Sequence, residues 1–168
     1  MVYLGFLPMQ MLLDRGINVS LGADSAAAAN SLDMFKETRV AALIHKGHHA
    51  NPAIVPAERV LEMTTRNGAK TLGKEDEIGS LEPGKKADLI IVDTQRTWFT
   101  PHHDIVSQLV YCADGRDVET TIVDGKILME DKEILVAAER ELVEKADEMA
   151  QQVLERQGIS VTQRFPVR

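Results

Sequence analysis

The chain has 168 residues, 44% of them hydrophobic and 27% charged, enough to bury a core in one globular domain or one and a half. A net charge of −7, with no lysine cluster beside aromatic residues, argues against a nucleic-acid partner. No apolar run is as long as a bilayer span, the opening MVYLGFLPMQ lacks a secretory leader, and the single cysteine, Cys112, has no internal disulfide partner; a cytoplasmic protein without a membrane partner is expected.

Residues 8–15 predict a short helix with Met9, Leu12 and Leu13 on one side, closed by Gly16. Ile17, Val19 and Leu21 alternate with Asn18 and Ser20, the pattern of a half-buried strand. An Ala-rich loop leads to a helix over residues 32–46, for which Asn30 or Ser31 suits the N-cap and Asp33 the positive end of the dipole. Its stretch 40–44 is apolar nearly all round, which implies burial, and Gly47 predicts a break before His48 and His49. That break makes His45, His48 and His49 a solvated helix end rather than a metal site.

A further helix begins with Pro56 at its first position and presents Val60, Leu61, Met63 and Thr64, with a break expected at Asn67-Gly68. After Gly73 the composition turns to β-branched residues, and EIGSLEPGKKADLIIVD and VETTIVDGKILMEDKEIL read as strands with turns at Pro83-Gly84 and Asp124-Gly125. Lys85 and Lys86 are expected in solvent and residues 87–92 in a buried strand, while Trp98 and Phe99 read as packing anchors. Residues 104–112 fit a short helix, capped from His102-His103-Asp104, or a strand. Residues 137–157 form an amphipathic helix with Leu142, Ala146, Met149 and Val153 on one face, closed by Gly158. The tail 159–168 has no period.

Asp24 follows the apolar run 19–21 and a Gly. A carboxylate at the carboxyl end of a parallel strand faces the side where α/β folds bind ligands, but Asp before a small-residue loop also serves as a turn or cap residue. Ser25 and Asn30, in the same loop, fit either substrate contact or turn and cap roles.

In order along the chain, GADSAAAANSLDMF, TRNGAKTLG, EIGSLEPGKKADLIIVD and TIVDGKIL resemble the C-terminal part of the amidohydrolase superfamily. Within it, the residues look most like the branch of atrazine chlorohydrolase, hydroxyatrazine ethylaminohydrolase, the triazine hydrolases and the S-adenosylhomocysteine/methylthioadenosine deaminases. The resemblance implies an α/β fold: a C-terminal fragment of a (β/α)8 TIM-type barrel plus the C-terminal half of a small β-sandwich, ending in an amphipathic helix. Residues 1–73 would close the barrel, 74–136 supply sandwich strands, and 137–168 form the terminal helix and tail.

The resemblance further implies a metal-dependent hydrolase acting on C–N bonds, other than peptide bonds, of a small nitrogen heterocycle: an aminohydrolase or deaminase, or a triazine hydrolase. It places Asp24 as metal ligand and catalytic proton acceptor; Ser25 and Asn30, in the same loop, stay open between substrate contact and turn or cap roles. The cofactor would be a divalent metal, zinc ahead of iron. The family's His-x-His pair is absent, because the five histidines lie at 45, 48, 49, 102 and 103. A lone carboxylate does not hold catalytic zinc, which needs about three protein ligands, so this chain is expected to be inactive alone and not to retain the metal. Its expected partners are the missing N-terminal part of the enzyme or further copies of itself. The rival reading is a non-catalytic interaction or assembly module derived from such an enzyme.

Overall fold

The computed structural model describes residues 5–160. Helix α1 spans Met9–Asp14, and Met9 is buried beneath it. Residues 17–21 form no strand and join no sheet. The expected strand finds no neighbouring strand among the described residues, so helices satisfy its backbone instead. The Leu21 amide donates to the Met63 carbonyl at 3.0 Å, and Asn67 Nδ2 donates to the Val19 carbonyl at 2.9 Å. Asn18 Nδ2 in turn reaches Asn67 O at 3.1 Å and Thr71 Oγ1 at 3.0 Å.

One helical turn, α2 (Ala26–Ala29), interrupts the Ala-rich loop and ends at Asn30, which adopts the left-handed conformation at φ 58°. Helix α3 runs over Met34–His49, starting later than its pattern suggests because Asp33, not Asn30 or Ser31, is its N-cap. It also continues through Gly47, whose cost in a helix interior is only about 1 kcal/mol, and closes on Ala50 at φ 48°. Only one side of α3 is buried. Thr38, Ala41, Ala42 and His45 face inward, whereas Val40 and Leu43 on the opposite side are 54% and 51% exposed, so the expected all-round burial does not hold.

The far end of α3 is tied down by Lys46, whose Nζ donates to the carbonyls of Ile54 (2.5 Å) and Val55 (2.8 Å). His45 is buried rather than solvated, and burial, followed by the charges of His49 and His48, lowers its pKa. In the unfolded chain a histidine titrates near about 6.5. As pH falls through that value the unfolded state takes up a proton that folded His45 refuses, so stability is full above it and declines below. Urea midpoints measured at roughly pH 7.5 and 5.5 should therefore separate, and His45→Gln should shrink the separation. An identical pH slope in the variant would show that other groups carry it.

Helix α4 (Ala57–Thr64) buries Ala57, Val60 and Met63. The bend then falls at Thr65, not at Asn67-Gly68, and α5 (Arg66–Thr71) runs straight through that dipeptide. The stretch 74–88 makes turns rather than strands, with Lys85 folded inward onto the Glu75 carbonyl and the Ser80 hydroxyl instead of solvated. Four antiparallel strands follow, β1 (Leu89–Val92), β2 (Val118–Val123), β3 (Lys126–Glu130) and β4 (Glu133–Ile134), ordered β1-β2-β3-β4. Asp124 (φ 50°) and Gly125 (φ 75°) form the two-residue β2–β3 turn in the left-handed region that such hairpins require.

β1 sits at the sheet edge with Ile90 and Ile91 about half exposed, so it is not the buried strand its composition suggests. Between β1 and β2, residues 104–112 resolve as helix α6 (Ile105–Tyr111), whose N-cap Asp104 accepts the amides of Val106 and Ser107. Phe99 is fully buried, while Trp98 stays half exposed. Helices α3, α4 and α6 pack mutually over a core of Met9, Val19, Ala42, Val60, Met63 and Val110. The last helix, α7 (Glu139–Arg156), stands clear of that core, with Leu142, Val143, Met149 and Val153 all more than half exposed. Most of the aperiodic tail lies outside the described residues. Among those described, no helix is long and apolar enough to cross a membrane.

Candidate functional site

The local sequence explains the shape of the loop at Asp24. Apolar Val19 is drawn into the core and Leu21 is pinned to α4, after which Gly22 and Ala23 offer nothing to bury and the chain emerges into solvent. Asp24 is exposed, and its Oδ1 accepts the amide of Ser25 at 2.6 Å. Ser25 occupies the N-cap position of α2 without a side-chain cap bond, and Asn30 closes the same turn. The three predicted residues, each exposed, therefore flank one helical turn of alanines. Asp24 Oδ2 is left facing solvent with no protein donor among the described residues.

One carboxylate is not a metal site. Among the described residues no group of three or more His, Cys, Asp or Glu side chains could hold a metal ion. The histidines do not supply one: His48 stacks on Phe6 at 4.3 Å between ring centroids and meets His49 edge-on at 4.9 Å, while His45 is turned into the core. Among the described residues Asp24 is thus a lone donor and not part of a metal centre.

Two side chains in the neighbourhood of the loop carry more structure than their sequence pattern suggests. Asp33 accepts the amides of Phe35 and of Gly115, each at 3.0 Å. Arg39 Nη2 donates to the Ala113 carbonyl at 2.7 Å. An Asp before a helix signals a cap, but nothing local announces that its second oxygen serves a residue 82 positions away. Between α5 and β1 lies an open, mainly apolar cleft of about 730 Å³ walled by Leu21, Leu61, Leu72, Leu89 and Ile90, and Asp24 does not line it.

Comparison with known proteins matches residues 5–128 to the amidohydrolase family. The chain is 49% identical over 152 residues to a 5'-deoxyadenosine deaminase of Methanosarcina mazei, covering 90% of this chain and 35% of that protein. Among solved structures it is similar to a zinc-bound adenosine deaminase from Xanthomonas campestris, with a TM-score of 0.86 and 34% identity, covering 89% of this chain and 34% of that one. It is also similar to the zinc complex of atrazine chlorohydrolase from Arthrobacter aurescens TC1, with a TM-score of 0.78 and 27% identity over 86% of this chain and 32% of that one. The chain therefore spans about a third of the length of the relatives it matches.

Proposed function

The chain belongs to the amidohydrolase family and corresponds to the C-terminal part of its fold, and from that membership we propose that it serves a metal-dependent aminohydrolase that deaminates a purine nucleoside related to 5'-deoxyadenosine. The observation that carries this reading is the 49% identity to a deaminase across nearly the whole chain. Hydrolytic removal of another leaving group, as on a triazine, is the variant supported by the likeness to atrazine chlorohydrolase.

In this reading Asp24 is the one metal ligand that the chain contributes, to zinc ahead of iron, and the remaining ligands come from polypeptide that these residues do not include. The metal supplies polarisation of a bound water when the whole site is assembled. What Asp24 itself supplies is an exposed carboxylate oxygen able to accept a proton at the mouth of the site. Ser25 and Asn30, on the same turn, are the proposed substrate contacts. The bare side of α3 and the apolar face of α7 are the surfaces for the remaining polypeptide or for a second copy of this chain.

The test joins this chain to the two thirds of the Methanosarcina mazei deaminase that it does not span. The chimaera should bind zinc and release ammonia from 5'-deoxyadenosine, whereas the chain alone should do neither. A folded chimaera that binds zinc at one equivalent yet releases neither ammonia from amino-heterocycles nor chloride from chlorotriazines would turn the reading toward a non-catalytic assembly module.

A further inference from the structure

The segment that carries Asp24 is held at both ends and largely exposed between them. Its upstream end is fixed to α4 and α5 through the Leu21–Met63 and Val19–Asn67 hydrogen bonds. Its downstream end is Asp33. The amide of Asp33 donates to Ser31 Oγ at 3.1 Å, and its two carboxylate oxygens are divided between the first turn of α3 and the amide of Gly115. Residues 22–27 are exposed, and among the described residues no side chain hydrogen-bonds to Asp24.

The turn that Asp33 grips is stiff. Asp117 is buried and accepts the Asp114 amide at 2.9 Å, and Asp114 accepts the Arg116 amide at 2.8 Å. The Arg116 guanidinium holds the Asp114 carboxyl down to about 2, so that pair stays ionised at working pH. The Asp117 carbonyl takes the amide of Asp93 at 2.8 Å, just past β1, which makes the turn part of the sheet. The fit against Asp33 is close, since a Cβ on residue 115 would lie 3.3 Å from the Asp33 carboxyl carbon. Further along α3, Arg39 grips the same turn through the Ala113 carbonyl.

We propose that Asp33 is a positioning residue for Asp24: by clasping the Gly115 amide it transfers the rigidity of the sheet-side turn to the loop from which Asp24 projects. The inference rests on the reading of Asp24 as a metal ligand, and its test separates the two. Asp33→Ala removes both acceptors, Asp33→Asn keeps one acceptor and turns its NH2 donor toward the other amide, and Gly115→Ala leaves the α3 cap whole while pressing the two groups apart.

In this chain, exchange of the hydrogen-bonded amides of Ala28, Ala29 and Asn30 should quicken roughly tenfold in Asp33→Ala, and less in Gly115→Ala and Asp33→Asn, each of which leaves one of the two contacts. In the chimaera the same order should appear in zinc affinity, with a loss of about 10- to 100-fold for Asp33→Ala and part of it restored by Asn. Exchange that is unchanged in both Asp33→Ala and Gly115→Ala overturns the clasp. Faster exchange with unaltered zinc affinity overturns the positioning role, provided that Asp24→Asn lowers zinc affinity in the same chimaera. If Asp24→Asn also binds zinc normally, the ligand reading fails and the positioning role falls with it.

Discussion

Replacing Asp24 by Asn in the chimaera is expected to lower the deaminase rate by about 10²- to 10⁴-fold, the usual contribution of a positioned proton acceptor, with little change in folding stability. The asymmetry follows from the environment of the side chain. Asp24 is exposed and accepts a single hydrogen bond, from the amide of the next residue, which an Asn carbonyl oxygen accepts equally well. What Asn removes is the charge and the basicity. A matched pair of measurements checks this: ammonia release at saturating substrate, and the urea midpoint of the same preparation. A variant that keeps the parental rate removes Asp24 from the chemistry. A variant that loses rate and midpoint together shows instead that the carboxylate holds the loop.

The reach of the sequence is uneven for reasons that individual residues make plain. Where structure is local, the pattern suffices: the Asp124-Gly125 hairpin and the closure of α7 before Gly158 stand as their residues predict. Where partners lie far along the chain, it does not. Residues 17–21 carry the alternation of a strand, but a strand is defined by its neighbours, and here Asn67 and Met63 take that place. Gly47 reads as a helix breaker, yet the Lys46 contacts with residues 54 and 55 hold α3 intact beyond it. Residues 87–92 read as a buried strand because they are apolar, but burial depends on what covers the sheet edge. Asp24, Ser25 and Asn30 stand together as candidates because they lie within one short loop. The reach of Asp33 to Gly115 is not legible in the same way, because one sequence does not report contacts between distant positions.

The largest effect on stability is expected at Met63. It is fully buried at the centre of the core with Val60 and Ala42 about it, and its carbonyl anchors Leu21 upstream of Asp24. Met63→Ala leaves a cavity that this packed layer fills only in part, at a cost of about 2–5 kcal/mol, a large share of the roughly 5–15 kcal/mol that holds a typical domain. Leu43, on the bare side of α3, is the matched control. At 51% exposure, its change to Ala should move the midpoint of the chain alone by no more than about 0.5 kcal/mol. The comparison becomes informative when both variants are repeated in the chimaera. If the remaining polypeptide covers α3, Leu43 becomes a core residue and its truncation should rise toward the 2–5 kcal/mol range typical of buried leucines, while the cost at Met63 stays where it was. If a second copy covers that face instead, the Leu43→Ala cost should already appear in the chain alone and grow with protein concentration, because association then contributes to the stability being measured. A Leu43 cost that is small and independent of concentration in both contexts would mean that α3 keeps a solvent-facing side in the whole enzyme, and the docking of the remaining polypeptide would have to be sought on α7 and the edge of β1.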